Sequence, residues 1–274
     1  MKTIKSLAIL AALVSSASAH ATRWFEVEMI AFEQEPSFSL REDFSIEPEP
    51  LNKKTIKSLL FDGFNTTGYK LCLEGSEQFA EQDFIRGLTS GAHSSSCDPD
   101  ANYVEKFGTL PLSPKVEPQE HMDSIYLLDE SQLNFSNKIA ELKRKGLKPL
   151  LHTGWRFPEQ SNKRAPNIEV IAGKQFASPS SYSVIENDDQ FSSLSKRFNI
   201  EESKEHVHWQ LEGLIKIHVR HYLYVTTDLD LKYEDGNDIR TARMSQYTRV
   251  YSGDIHYLDH PKLGVIFQIR KYKH

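Results

Sequence analysis

The chain runs to 274 residues, with 33 lysines and arginines against 38 aspartates and glutamates, a formal charge of −5. That balance argues against sequence-independent binding of nucleic acid or anionic lipid, which needs a cationic surface. The length suits a single domain, with or without a large insertion, whose core needs no covalent staples.

Residues 1–19 read as a secretory signal peptide. Lys2 and Lys5 supply the positive n-region, residues 7–14 form an apolar run too short to span a bilayer, and Ala17-Ser18-Ala19 gives a small-x-small cleavage site. Cleavage would take the charge from −5 to −7, because Lys2 and Lys5 leave with the leader. The exported remainder, 20–274, is expected to act outside the cytoplasm, without ATP or NAD, among cell-envelope polymers. No second apolar run approaches membrane-spanning length, so no membrane insertion is expected.

Phe25, Val27, Met29 and Ala31 alternate against Trp24, Glu26 and Glu28, which predicts a half-buried strand over residues 23–32. Residues 33–122 are broken by repeated prolines and read as a loop-rich insertion. Within it, residues 59–61 and 70–73 suggest short strands and residues 77–88 a short helix. The two cysteines, Cys72 and Cys97, suggest one disulfide in an oxidising compartment. The competing reading of Cys97 is a catalytic thiol with His93, for which no peptidase-like context is present.

A short strand follows at 125–128, then a helix over 136–145 that buries Ile139 and Leu142. Its last turn carries Lys143, Arg144 and Lys145, and Gly146 stops it. Residues 147–157 and 168–172 read as strands, and 190–198 as a short helix. From Trp209, apolar residues occupy alternate positions through Leu231, too long for one strand without a bulge or bend. Asp235-Gly236 signals a hairpin, one strand spans 243–257, and a turn at His260-Pro261-Lys262 leads to a last strand over 265–271. The class is α+β: a mostly antiparallel sheet with a C-terminal meander, one main packed helix and the loop-rich insertion.

Catalytic templates match only in fragments. Ser193-Leu194-Ser195-Lys196 fits Ser-x-x-Lys, but Lys-Thr-Gly occurs nowhere. His206-Val207-His208 supplies half of a zinc-peptidase motif whose His-x-x-x-Asp partner is missing. Residues 87–91 place Thr89 where Gly-x-Ser-x-Gly needs serine. Glu26 and Glu28 share a strand face at glycosidase spacing, but paired acids on an exposed strand are common. In the run His256 to His260, Asp259 is read as capping the turn rather than as an acid–base dyad with His260. No metal or cofactor is therefore expected.

Binding chemistry fits better. Sugar rings stack on aromatic faces, and arginine hydrogen-bonds carboxylates. Trp24 and Trp209 read as core. Trp155-Arg156 reads equally as core filling or as a contact pair. Tyr222, Tyr224, Tyr247, Tyr251 and Tyr257 stud the C-terminal part, and basic candidates are Lys143-Arg144-Lys145 with Lys148, and Arg240, Arg243 and Arg249.

Four blocks of the chain resemble one known family in order and spacing. They are Arg23-Trp24-Phe25-Glu26-Val27-Glu28-Met29, then Lys148-Pro149-Leu150-Leu151-His152-Thr153-Gly154-Trp155-Arg156, then Leu211-Glu212-Gly213 with Arg220-His221-Tyr222-Leu223, and finally Ser252-Gly253-Asp254-Ile255-His256-Tyr257-Leu258-Asp259-His260-Pro261. The family is the CsiV-type periplasmic proteins. The resemblance implies a non-enzymatic peptidoglycan-binding protein that supports cell shape. It also implies partnership with a class A penicillin-binding protein, the bifunctional murein synthase, and with its outer-membrane lipoprotein activator. The expected contact residues are Trp155, Arg156, Arg243, Arg249, His256 and Tyr257. The rival expectations are a zinc-dependent envelope hydrolase using His206 and His208, and a structural adaptor without glycan affinity.

Overall fold

The computed structural model describes residues 22–35, 55–74, 97–176, 208–236 and 238–274. Among these residues ten strands form two five-stranded sheets. They are β1 (Trp24–Glu33), β2 (Ile56–Lys57), β3 (Tyr126–Leu127), β4 (Lys148–Pro158), β5 (Asn167–Phe176), β6 (His208–Val219), β7 (Leu223–Asp235), β8 (Asp238–Val250), β9 (Ile255–His260) and β10 (Leu263–Tyr272). The first sheet has the order β3-β4-β1-β10-β9 and the second β2-β5-β6-β7-β8. Every pairing is antiparallel except the short β2–β5 contact. The α+β class and the sheet-dominated architecture follow. Among the described residues there are two α-helices, α1 (Leu59–Leu73) and α2 (Ser136–Arg144), the second being the packed helix read from the sequence.

The two sheets face each other across the core. Phe25, Val27 and Met29 of β1, Trp155 of β4 and Val265 and Phe267 of β10 meet Ile215 and Ile217 of β6 and Val225 and Leu229 of β7, all at most 7% exposed. Alternation selects these positions, because residues two apart on a strand share a face. β1 is nevertheless buried on both faces. Its outer side carries a second apolar cluster in which Ile30 and Phe32 pack on Phe135 and Leu142, beside and within α2.

Several expected elements change. Residues 59–61 and 70–73 are not strands but the two ends of α1. Leu60, Phe64 and Thr67 recur at helical spacing on its buried side, a period invisible in two three-to-four-residue fragments. The described part of 33–122 is knitted into the main core through Leu60, Phe64, Tyr103, Val104, Phe107 and Leu110. The Cys72–Cys97 disulfide is present and ties the end of α1 to this segment. The long segment after Trp209 does more than bend. It reverses at residues 220–222, where Arg220 N donates to Tyr222 O at 3.0 Å, giving the β6–β7 hairpin. Asp235 and Gly236 close the β7–β8 hairpin, with Gly236 at φ +67°, a conformation that glycine reaches without strain. The single strand expected over 243–257 is two. β8 ends the second sheet, residues 251–254 turn, and β9 enters the first sheet beside β10. The expected signal peptide and the helices at 77–88 and 190–198 lie outside the described residues.

Candidate functional site

The register of β6, β7 and β8 assembles an aromatic and cationic face on the outside of the second sheet. His218, Tyr224 and Arg249 align in one row across the three strands, and Lys216, Thr226 and Tyr247 in the next. Their chain neighbours Ile217, Val219, Leu223, Val225 and Val250 point into the core, so alternation turns these rows outward. His218, Tyr224 and Tyr247 form a close triangle of near-parallel rings. Centroids are 5.2 Å apart for His218–Tyr224, 5.6 Å for Tyr224–Tyr247 and 6.3 Å for His218–Tyr247, with interplanar angles of 4–17°. Tyr247 is 57% exposed, while His218 beneath it is buried.

The β6–β7 turn and the end of β8 add a second group. The Arg249 guanidinium lies 4.7 Å from the Tyr222 ring centre and 5.5 Å from that of Tyr251, within cation–π range. Arg249 Nη2 donates to the Tyr251 hydroxyl at 3.0 Å, and Tyr222 and Tyr251 meet edge to face. Both tyrosines are about half exposed. His256 Nε2 sits 3.2 Å from both the backbone N and O of Tyr251, and its ring stacks on Phe267 at 5.5 Å. His256 therefore anchors the turn that presents Tyr251.

The charge on this face is uneven. Toward the β7–β8 hairpin the cations are matched: on this face Arg243 with Asp228 at 2.8 Å, Lys174 with Glu234 at 2.5 Å and Lys232 with Glu212, and on the opposite side of the hairpin end Arg240 with Asp235 at 2.8 Å. Among the described residues no carboxylate forms an ion pair with Arg249, Arg220 or Lys216. Burial pushes the Lys216 ammonium below its usual range. Burial, then the nearby Lys216 charge, lowers the His218 imidazole and keeps the ring neutral. Burial and the neighbouring Tyr224 raise the Tyr247 hydroxyl, partly offset by Arg220. The ring end of the sheet is thus a positive, partly dehydrated surface with flat rings beside it.

Of the residues expected to make contacts, Arg249 and His256 belong to this site. Arg243 shares the sheet face, held by Asp228. Trp155 is 1% exposed and fills the core between the sheets, which removes it from any surface. Burial also corrects the expectation of an exposed Arg156. Its Nε donates to Glu26 Oε2 at 2.9 Å, its Nη1 to the carbonyls of Gln119 and Glu120, and it lies 3.9 Å over the Tyr272 ring. Trp24 and Trp209 are buried as expected. Glu26 and Glu28 are not free surface acids: residues 119–135 roof the outer face of the first sheet, where Glu28 is fully buried and Glu26 is partly buried and paired with Arg156 and Arg270. Tyr257 lies on that other outer face. It donates to Asp259 at 2.6 Å, stacks on Phe32 and lines a cleft of about 300 Å³ between α2 and β9–β10. Asp259 therefore receives Tyr257 rather than capping the turn. His260 Nδ1 accepts from Lys262 N at 3.3 Å.

His218, Lys216 and Arg220 escaped sequence reasoning. The signal would have been the reversal at 220–222, which aligns His218 with Tyr224. Among the described residues no three His, Cys, Asp or Glu side chains are grouped to hold a metal. His208 Nδ1 lies 3.1 Å from Glu212 Oε1, while His206 and the run 193–196 lie outside the described residues. No described helix is long and apolar enough to cross a membrane.

A family model described as "Peptidoglycan-binding protein, CsiV" matches residues 2–272. Neither curated proteins nor solved structures yield a match.

Proposed function

The chain belongs to the CsiV family, and we propose that it binds peptidoglycan in the periplasm through the ring-bearing face of its second sheet. The observation that carries this is the grouping of exposed Tyr222 and Tyr251 around Arg249, with exposed Tyr247 two residues along the same strand face, Arg249 being a cation without a carboxylate partner on the described surface. Alternating amino sugars stack on flat rings, and the murein peptide stems present carboxylates for a guanidinium. The family description supports peptidoglycan binding.

The protein acts by docking rather than by catalysis, and the disulfide suits an exported chain. Bound to the wall, it modulates a class A penicillin-binding protein together with that enzyme's outer-membrane lipoprotein activator, and so supports cell shape. Activation requires that it bind the active state of the synthase more tightly than the resting state. This part follows from the family resemblance, with no surface assigned to it.

Sedimentation with purified sacculi tests the wall-binding claim. Wild-type protein should pellet with sacculi, and the Tyr222→Ala/Tyr247→Ala double variant should remain largely in the supernatant. Equal pelleting of the two would remove this face from the function.

A further inference from the structure

We infer that the ring-bearing face is selective for acidic glycan: it requires a carboxylate next to the stacked sugar, and Arg249 is the group that receives it. The inference rests on the reading that this face binds peptidoglycan and adds what the face demands of it. Three features carry it.

First, Arg249 is oriented before any ligand arrives. Tyr222 and Tyr251 flank its guanidinium at 4.7 and 5.5 Å, and one N–H is committed to the Tyr251 hydroxyl. A guanidinium has five N–H donors, so a bidentate edge remains for a carboxylate. Second, its charge is not neutralised by an ion pair with a described carboxylate, and neither are those of Arg220 in the β6–β7 turn and Lys216 in the adjoining row, whereas Lys174, Lys232, Arg240 and Arg243 toward the β7–β8 hairpin each have an acidic partner. A face built only to stack neutral sugars has no need of this surplus. Third, the cation and the open ring are neighbours. Arg249 and Tyr247 stand two residues apart on one face of β8, so a sugar on Tyr247 places its substituents within reach of the guanidinium.

Two parts of murein carry such a carboxylate: the peptide stem, and the lactyl group of the muramic sugar once the stem is removed. The experiment measures binding to sacculi by sedimentation and compares untreated sacculi with sacculi whose carboxyls are capped as neutral amides. Soluble amidase-stripped glycan strands and chitin oligosaccharides serve as competitors. Capping should weaken binding about tenfold, the size of one charge-assisted contact, and chitin should not compete. Competition by stripped strands assigns the lactyl carboxylate, and its absence assigns the stem; both uphold the requirement for an acid. Arg249→Gln should lose about the same factor on untreated sacculi and become indifferent to capping. Arg240→Gln, an equal change of charge at the β7–β8 hairpin, should behave as wild type. Undiminished binding to capped sacculi, competition by chitin, or an Arg249→Gln variant still sensitive to capping would overturn the inference. If untreated sacculi fail to retain the wild-type protein, the peptidoglycan reading itself falls, and this inference falls with it.

Discussion

The Glu28 carboxylate is fully buried at the junction of β1, β4, β10 and the segment before α2. Oε1 accepts from Asn134 N at 2.7 Å, Phe135 N at 2.6 Å and His152 Nε2 at 2.9 Å, and Oε2 lies 3.3 Å from Arg270 Nη2. It also places a negative charge at the N-terminal end of α2, where the helix dipole favours one. Glu28→Ala leaves Arg270 and two backbone donors without this partner, so urea denaturation should show a loss of about 3–5 kcal/mol. Glu28→Gln keeps the shape and one acceptor and should lose about 1–3 kcal/mol. Alternation along β1 shows which side chains share a face, but not that residues 119–135 cover it, so sequence alone leaves Glu28 looking like a surface acid. His218 makes a related case in the candidate site. Its folded-state pKa lies below the ordinary 6.5 because burial and Lys216 disfavour the imidazolium. Above 6.5 the ring is neutral in both states and its contribution is complete. As pH falls past 6.5 the unfolded chain takes up the proton first, and stability drops until the folded ring titrates too. NMR titration of His218 should give a midpoint below 6.5. His218→Phe should lose less stability than wild type over the same acid window, and a midpoint at or above 6.5 would refute the burial argument.

Among the elements, α1 shows where local pattern and packing part company. Glycine inside a helix ordinarily costs about 1 kcal/mol relative to alanine, so Gly68→Ala would stabilise an isolated helix. Here a Cβ at Gly68 would lie 2.4 Å from Tyr103 Cβ and 3.1 Å from its Cγ. Tyr103 is itself fixed, with its backbone N–H donated to Asn65 of the same helix at 2.6 Å and its side chain buried. Overpacking of this kind costs about 1–3 kcal/mol, enough to cancel or exceed the propensity gain. Gly68→Ala should therefore lower the denaturation midpoint, and a rise would mean that the 97–107 segment can retreat from α1. The strands tell the opposite story. β1, α2, β4 and β10 are readable within a residue or two because each alternates or recurs over several positions against a clear boundary. α1 was misread because its apolar positions are diluted by Asn65, Thr66 and Thr67, and because a partner segment about thirty-five residues away supplies its packing. The candidate site was half legible. Tyr222, Tyr247, Tyr251 and Arg249 stand out by type, but the row holding His218 and Lys216 exists only once the reversal at 220–222 sets the register.

At the scale of the whole molecule, local and distant pairings divide the two sheets. β6, β7 and β8 form a meander of sequential hairpins, the arrangement most visible in sequence and least costly in loop closure. The first sheet is assembled from afar: β1 lies between β4 and β10, with Trp24 opposite Tyr272 and Ala31 opposite Val265. No short-range signal announces that pairing. The same geometry predicts how the chain fails. β10 contributes Val265, Phe267 and Ile269 to the shared core, and Arg270 to the carboxylates of Glu26 and Glu28. Ending the chain after residue 254 would remove β9 and β10, strip one edge of β1, and expose the inner faces of both β1 and the meander. Among the described residues no other apolar layer covers β7 and β8, so the second sheet should not survive alone. The truncated protein should lose its cooperative urea transition and become protease-sensitive throughout, β6–β8 included. A retained sharp transition, with β6–β8 protected from proteolysis, would show instead that the meander folds by itself and that the first sheet is laid onto it afterwards.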